Sequence, residues 1–373
     1  MARKTYTFKV TSPEKIEQIE KSNKKLIERY LKYLSQTRSQ GTIKVYKSNF
    51  DIFFCWNLDY NDNKPFEKIK KIEMQDFFSF CSDTLKFSPN RFSNMHSSLS
   101  SLSTYVENQL DELDEYKDFR NIVAKITKPV SEPVRKKTII KPEQINQLIE
   151  MLLKESEEDE FIFQEALYVA LSVSMGTRVS ETLRVTTDLI DEKSTAFDGL
   201  FLVTTEPIRT KGRGKNGKSL YKYIIKDFFL PLYKKWLGKR KKLIKKTMAD
   251  DHNSIFIKRD GTPATVTTVQ RWTVKWSNLL GLDIYTHSFR HYFVTYLSRI
   301  GLEPELIQSI VGWSSFEMIN VYNDLRVDER EWKGLEKLKS VLNVATVPVD
   351  EETPKKFLYE SRDSRRMKKE LKE

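Results

Sequence analysis

Residues 175–185 read MGTRVSETLRV and directly follow a segment with the apolar pattern of a helix. In this stretch Arg178 stands three residues before Glu181, and in a helix side chains at that spacing share one face and can form an ion pair. Taken alone, such a pair is most often an ordinary salt bridge near a helix start. The stretch therefore predicts a helix from about Val179.

Two later stretches contain further polar residues that are candidates for a functional site. The segment YTHSFRHYF at 285–293 contains His287 and Arg290, again three residues apart, and GWSSFEMINVY at 312–322 ends in a tyrosine. In isolation, the first pair is typical of a helix surface or a helix start, and Tyr322 is typical of a hydrophobic core. Their significance comes from their combination with the arginine stretch.

The positive charge of the chain is concentrated in one region. Residues 207–249 contain fifteen lysines and arginines but only one acidic residue, Asp227, whereas the whole chain of 373 residues has a net charge of +12. A concentrated basic block favours a polyanionic partner, above all nucleic acid. The alternative is a solvated lysine-rich helix face at 239–246. A membrane surface is less favoured, because no strongly apolar face accompanies the block.

The composition narrows the class of protein. No apolar run approaches the roughly 20 residues of a membrane span, and the first residues lack the apolar core of a signal peptide. The two cysteines, Cys55 and Cys81, form no metal-binding pattern, and the chain has four histidines. We therefore expect a soluble protein of a reducing compartment, with no metal, no cofactor and no membrane partner.

The pattern along the chain predicts mainly helices. Apolar residues recur at helical spacing after Pro13, from about Thr42, over 72–85 and from Pro89, which indicates a compact helical domain. A proline-rich stretch follows and resists regular structure. Helices are expected again from Pro142, interrupted by the β-rich runs LFLVTT and SLYKYII on either side of the glycine-containing segment TKGRGKNGK. The predicted class is α+β, mainly α with a small β-sheet.

Considered together, the three polar stretches resemble the tyrosine recombinase (phage integrase) family. The family's R-x-S-E-like, H-x-x-R, G-(His/Trp) and tyrosine motifs correspond to R-V-S-E at 178–181, H-S-F-R at 287–290, G-W at 312–313 and Tyr322. The intervals of 23 residues from Arg290 to Trp313 and of 9 residues from Trp313 to Tyr322 are also those of the family. Phe289 stands where leucine is usual, and Trp313 replaces the commoner histidine, with an indole N–H as donor.

The resemblance also covers the first part of the chain, more loosely. The segments TIKVYKSNFDIFF and HSSLSSLSTYV resemble two helices of the family's core-binding domain. The implied architecture is a helical core-binding DNA-binding domain followed by a tyrosine-recombinase-like catalytic domain. Its expected divisions are an N-terminal extension, the core-binding domain, a linker, the catalytic domain and a C-terminal tail, at residues 1–20, 21–125, 126–141, 142–343 and 344–373.

The resemblance implies roles for individual residues. Two arginines would neutralise charge on a phosphodiester, a tyrosine would be the nucleophile, and a lysine in a basic β-hairpin would be the acid. The catalytic set would be Arg178, Lys211, His287, Arg290, Trp313 and Tyr322. Lys215 is a second candidate for the hairpin lysine. Glu181 and His291 would support these groups, and the DNA-binding residues would be Lys215, Lys218, Lys241, Lys242, Lys245 and Lys246.

The resemblance implies a site-specific DNA recombinase that cleaves and rejoins strands through a 3′-phosphotyrosyl intermediate, with chemistry like that of a type IB topoisomerase. It would integrate or excise a mobile element or prophage, and it would act in the bacterial or host cytoplasm, associated with the nucleoid. The expected partners are double-stranded DNA, other copies of the chain in a tetramer on two DNA sites, and an accessory directionality factor. The alternative is a DNA-binding regulator that retains the fold and acts by binding, like a repressor.

Overall fold

The structure is a computed structural model that describes residues 10–129, 138, 140–196, 198–210, 216–250, 252–299 and 301–313. The helices of its first part begin where the sequence marks a helix start. Ser12, Ser39 and Ser88 each accept a hydrogen bond from a backbone N–H of the first turn, and Pro13 and Pro89 occupy the first helical position. These helices are α1 (Pro13–Gln18), α2 (Lys21–Ser35), α3 (Gln40–Tyr60), α4 (Lys71–Asp83) and α5 (Pro89–Gln109).

Aromatic rings hold these helices together. Phe53 of α3 is fully buried and contacts Phe77 of α4 edge-on, with the ring centroids 4.9 Å apart. It also meets Phe54 and Phe66 in the same geometry. Edge-to-face pairs add to the stabilisation that burial of the rings already gives. The apolar residues that the sequence places at helical spacing from about Thr42 therefore lie on α3, at the centre of this core.

A second group of buried apolar residues surrounds one helix. The helices of this part are α6 (Pro142–Glu155), α7 (Phe163–Met175), α8 (Val179–Thr182), α9 (Lys226–Thr247), α10 (Val266–Leu280), α11 (Ser288–Arg299) and α12 (Pro304–Val311). All thirteen residues of α7 are buried, so the other elements pack around it on every side. None of the helices in the described residues combines the length and the apolar character that a membrane-spanning segment needs.

Within the described residues, five short strands form two small antiparallel sheets. They are β1 (Thr195–Ala196), β2 (Phe201–Val203), β3 (Ile208–Thr210), β4 (Lys218–Leu220) and β5 (Tyr223–Ile225). One sheet has the order β1-β2-β5, and the other pairs β3 with β4. The predicted hairpin loop thus follows β3, a strand that the sequence pattern does not single out. The run LFLVTT contains β2, whereas SLYKYII is divided between β4 and β5, and β2 pairs with β5 around the β3–β4 hairpin. The fold class is the predicted one, mainly α with a small sheet component.

Gly176 ends α7 at the point where α11 crosses it. Its φ of +58° lies in the left-handed region, and a Cβ at this position would lie 2.1 Å from the ring of Phe293 on α11. Glycine is the residue that combines this backbone conformation with so close an approach. The end of α7 is therefore fixed against α11.

Replacing Gly176 by alanine should destabilise the protein more than the same change at Gly281, which ends α10 with a φ of +63° and where an added Cβ would meet no atom within 4 Å. Both changes carry left-handed strain of about 1–2 kcal/mol. Gly176→Ala adds the overlap with Phe293, worth about a further 1–3 kcal/mol. Urea unfolding of the two variants measures the difference, and equal losses would contradict the packing argument.

Candidate active site

Glu181 lies between the two arginines that the sequence singles out. One carboxylate oxygen accepts a hydrogen bond from Arg178 Nη1 at 2.9 Å, and the other accepts the backbone N–H of Arg178 at 3.0 Å. The second oxygen also lies 3.9 Å from Arg290 Nη1. Glu181 is 1% exposed, so the carboxylate that lies between the two arginines is itself shielded from bulk water. The predicted supporting role of Glu181 has a geometric basis in this arrangement.

Arg290 is buried beneath the site. Its side chain on α11 is 1% exposed, and Nη1 donates to the carbonyl of Gly176 at 2.9 Å. The guanidinium carbon lies 5.6 Å from the centroid of the Trp313 ring, a cation–π distance. Trp313 follows α12 and is itself buried, with Val294, Ile307 and Val311. Arg178 and Glu181 at the start of α8, Arg290 of α11 and Trp313 after α12 are thus brought together from three segments of the chain.

This cluster is suited to binding an oxyanion. Two guanidinium groups face one carboxylate, which leaves an excess positive charge in a largely buried setting where electrostatic interactions are strong. A guanidinium is planar, always charged and able to donate two parallel hydrogen bonds to a phosphate or carboxylate. Arg178 is the more accessible of the two, with 19% of its side chain exposed. The arrangement can therefore stabilise negative charge that develops on an oxyanion.

The two histidines of the H-S-F-R-H segment lie at the beginning of α11. His287 directly precedes the helix and is partly buried, and its backbone carbonyl accepts the N–H of His291 at 2.9 Å. The His291 ring lies edge-on to Tyr285, with centroids 5.9 Å apart. It also lines a small cavity of about 150 Å³ beside Tyr292 and Tyr296. Along the sequence, both histidines are close to Arg290. These contacts of His291, however, are with aromatic side chains.

Three residues of the predicted set, Lys211, Lys215 and Tyr322, lie outside the described residues. Lys218 is described: it begins β4 and is exposed. The nucleophile and both candidates for the hairpin lysine therefore remain predictions from the sequence.

The structure adds a residue that the sequence reasoning missed. Lys222, between β4 and β5, is 2% exposed, and its charge interacts with those of Glu181, Arg178 and Arg290. The signal was present in SLYKYII, because alternation along an extended segment places Lys222 on the same side as the buried Ile224. A lysine on the inward side of a strand is rare unless its charge is used.

The lysine run of α9 lies at the far end of α7 from the arginines. Lys239 forms an ion pair with Glu160, just before α7, at 2.9 Å. Lys242 and Lys246 also act on Glu160, and together with the Lys239 hydrogen bond they lower the pKa of that carboxyl. Since α7 has thirteen residues and rises about 1.5 Å per residue, the run is roughly 20 Å from the Arg178 end. Lys241, Lys242, Lys245 and Lys246 are all exposed.

The sequence model of the phage integrase family matches residues 138–329, which is more than half of the chain and contains the whole arginine cluster. The chain belongs to the phage integrase family. This integrase-family chain is 25% identical to a tyrosine recombinase of Thermosipho africanus over 84% of its own length and 99% of that protein's. A tyrosine recombinase of Pseudothermotoga lettingae is 24% identical over 84% of this chain and 98% of its own.

Solved structures agree with the fold of this integrase-family chain. A XerH site-specific recombinase bound to its difH substrate has a TM-score of 0.58 at 17% identity, over 81% of this chain and 80% of that one. The Tn1549 transposon integrase in complex with circular intermediate DNA has a TM-score of 0.58 at 16% identity, over 83% of this chain and 98% of that one. Both likenesses concern the fold.

Removing the carboxylate of Glu181 should lower the free energy of unfolding substantially. Glu181→Ala leaves the buried guanidinium group of Arg290 and the partly buried one of Arg178 without their shared counter-ion, and breaking a buried pair in this way costs about 3–5 kcal/mol. Glu192→Ala is the matched control, because Glu192 pairs with Lys234 at 2.8 Å while both side chains are about half exposed. That change should alter stability by no more than about 1 kcal/mol. Urea unfolding at pH 7 compares the two, and similar losses would contradict the role of Glu181 as the common counter-ion.

Proposed function

We propose that the protein is a site-specific tyrosine recombinase that cleaves and rejoins DNA strands through a 3′-phosphotyrosyl intermediate. The observation that carries this proposal is the pair of guanidinium groups, Arg178 and Arg290, held on one buried carboxylate beside Trp313. Such a pair suits a phosphodiester, whose two non-bridging oxygens gain charge as the phosphorus is attacked. Membership of the phage integrase family supports the same reaction.

In the proposed reaction, the Tyr322 hydroxyl oxygen attacks the scissile phosphorus. A bond forms between that oxygen and phosphorus, and the bond from phosphorus to the 5′ oxygen breaks. Because an ordinary tyrosine has a pKa of about 10, the attack is assisted by removal of its proton. His287 is the proposed base. The reverse attack by a 5′ hydroxyl of a second strand releases the tyrosine and restores the phosphodiester, so the reaction conserves the bond energy.

The departing 5′ oxygen takes up a proton as it leaves. We assign this proton to a lysine of the β3–β4 hairpin, with Lys211 as the first candidate and Lys215 as the second. Arg178 and Arg290 would hold the non-bridging oxygens, and Trp313 would add its indole N–H as a further donor. Glu181 would hold the two guanidinium groups in place without touching DNA, and His291 would support the beginning of α11.

The helical part of the chain offers a second surface for a DNA duplex. A groove of about 510 Å³ between α2, α3 and α5 is lined by hydroxyl groups and by the cations Arg38 and Lys128. Hydroxyl and cationic side chains are the usual partners of phosphate oxygens. We propose that residues 21–125 form a core-binding domain and residues 142–343 a catalytic domain, and that both contact the same duplex across the linker at 126–141.

By analogy with other tyrosine recombinases, the active assembly would be a tetramer on two DNA sites, with a directionality factor as an accessory partner. The structures of similar proteins include a lambda integrase dimer bound to a core site, with a TM-score of 0.52 over 80% of this chain and 76% of that one. Integration or excision of a mobile element or prophage is the proposed cellular outcome.

The nucleophile is tested by trapping the covalent intermediate. The probe is a nicked duplex that carries the fragment enriched by the protein from a random DNA library. The nick lies a few nucleotides beyond the scissile phosphate, so cleavage releases a short fragment that carries the 5′ hydroxyl. Because this fragment diffuses away and cannot reverse the reaction, wild-type protein should accumulate as a denaturant-stable protein–DNA adduct. Tyr322→Phe should bind the same duplex with similar affinity and form no adduct, since the attacking oxygen is absent.

An adduct with Tyr322→Phe would move the nucleophile to another residue. Specific binding without an adduct in the wild type would instead favour the binding regulator that shares this fold. Arg178→Lys serves as a comparison, because it keeps the charge and loses the planar pair of donors. It should bind the duplex and form the adduct more slowly.

The lysines of α9 are tested by salt dependence. Lys241→Gln/Lys245→Gln should lower the slope of log K against log salt by about 1.8, because each lost phosphate contact contributes about 0.9. Lys242→Gln/Lys246→Gln is the matched double variant one residue along the helix, and it should have a smaller effect, since Glu160 already interacts with these two lysines. DNA binding between 50 and 200 mM salt measures both slopes. Two unchanged slopes would assign the run to a solvated helix face.

A further inference from the structure

A buried lysine lies beside the arginine cluster without belonging to the set of residues assigned above. Lys222 follows the exposed Tyr221 and precedes the exposed Tyr223, and its own side chain is 2% exposed. Burial of an ammonium group is costly unless polar atoms replace the water that it loses. The contacts of this side chain therefore indicate what the buried charge does.

The side chain of Lys222 joins the connection between β4 and β5 to the end of α12. Its Nζ donates to the carbonyl of Ile310, in the last turn of α12, at 3.3 Å. The carbonyls at a helix end carry partial negative charge and favour a cation. The backbone of Lys222 is fixed in turn, because its N–H donates to Thr204 Oγ1 at 3.1 Å and its carbonyl accepts the N–H of Thr204 at 3.0 Å.

A second contact between the same two segments lies next to this hydrogen bond. Gly312 ends α12 with a φ of +77°, and a Cβ at this position would lie 2.3 Å from a methyl group of Leu220. The sheet and the end of α12 therefore meet at the residue directly before Trp313. The position of the Trp313 indole beside Arg290 depends on where this helix end lies.

The charges around Lys222 are those of the arginine cluster. The pKa of the Lys222 ammonium is lowered to about 8, chiefly by burial; Glu181 opposes this shift, and Arg290 and Arg178 contribute to it. The groups that act on this lysine are thus Glu181 from α8, Arg178 before α8, Arg290 from α11 and the Ile310 carbonyl from α12. The ammonium is maintained at neutral pH in a setting that disfavours it.

We propose that Lys222 is a positioning residue of the strand-transfer site. Its ammonium group binds the end of α12 to the connection between β4 and β5 and so holds Trp313 against Arg290. The effect of Lys222 on DNA cleavage rests on the function proposed above. Its effect on α12 does not, since the contact exists without DNA. The two parts are tested separately.

The contact is tested by hydrogen exchange without DNA, with Lys222→Met, which keeps an unbranched side chain and removes the charged donor. Amides of residues 305–313 should exchange faster at pH 7 in this variant than in the wild type, while α7 and α10 remain protected. Lys193→Met, an exposed lysine before β1, is the matched control and should leave exchange unchanged. Equal exchange of α12 in the wild type and Lys222→Met would overturn the proposal.

Thermal unfolding separates positioning from plain stabilisation. Because the folded protein lowers the pKa of Lys222 below its unfolded value, this group makes the wild type more stable as the pH rises from about 8 towards 10. Lys222→Met lacks this gain. The variant should therefore unfold at the same temperature as the wild type or higher at pH 7, and lose that relative advantage by pH 10. A clear loss of stability at pH 7 would assign Lys222 to the core and overturn the positioning role.

Cleavage of the nicked duplex tests the link to Trp313. Lys222→Met should form the adduct about 10²-fold more slowly, the scale of a misplaced catalytic group. Lys222→Arg retains a donor that is always charged and should recover part of the rate. In the Lys222→Met/Trp313→Phe double variant, the two losses should not multiply, because the lysine acts through the tryptophan. Fully multiplicative losses would overturn the proposal.

A substrate with sulfur at the 5′ bridging position separates Lys222 from the acid. A thiolate leaves without protonation, so Lys211→Ala or Lys215→Ala should recover on this substrate, whichever residue is the acid. Lys222→Met should remain slow, and its recovery would make Lys222 the acid and overturn the positioning role. If neither the wild type nor Lys193→Met forms an adduct, the proposed function fails, while the hydrogen-exchange result still decides the contact between Lys222 and α12.

Discussion

A single buried carboxylate organises the arginine cluster. Glu181 binds Arg178 through a side-chain and a backbone hydrogen bond and lies 3.9 Å from Arg290 Nη1. Two guanidinium groups so close together would repel each other in a poorly hydrated setting, and the carboxylate removes most of that repulsion while leaving an excess of positive charge. The ends of α7 and α12 and the beginnings of α8 and α11 meet at this point and are therefore held together by electrostatics as well as by packing. The same excess charge is what the proposed phosphodiester chemistry uses.

The helices could be predicted from the sequence because their information is local. Serine caps, prolines at the first position and apolar residues at helical spacing act within a few residues, as in α1 and α5. The sheets were predicted less well, since strands of three residues carry little periodic signal. The β3–β4 hairpin also lies between β2 and β5 in the sequence, so the two paired strands β2 and β5 are distant along the chain. The arginine cluster was predicted from a family resemblance, because the spacing of its members along the chain does not itself reveal their contacts.

Two charge features needed the folded chain to be understood. The basic block stands out in the sequence, but its neighbour Glu160 is about eighty residues away, and the fold brings Lys239, Lys242 and Lys246 close to it. Lys222 belongs to the same basic block but is buried, whereas the lysines of α9 at 241, 242, 245 and 246 are exposed. Its side chain points inward, where its charge adds to that of the arginines instead of meeting solvent. A count of lysines therefore does not distinguish the exposed charges of α9 from the interior charge of Lys222.

The close contact between Gly312 and Leu220 also limits where the proposed nucleophile can be. It fixes the chain at the residue before Trp313, and Tyr322 follows Trp313 by nine residues. Nine residues reach at most about 30 Å when fully extended. A hydroxyl confined to a sphere of that radius has an effective concentration of roughly 10 mM. Covalent connection thus supplies each copy of the chain with its own tyrosine at a concentration far above that at which separate protein molecules meet, whichever arginine pair the tyrosine finally serves.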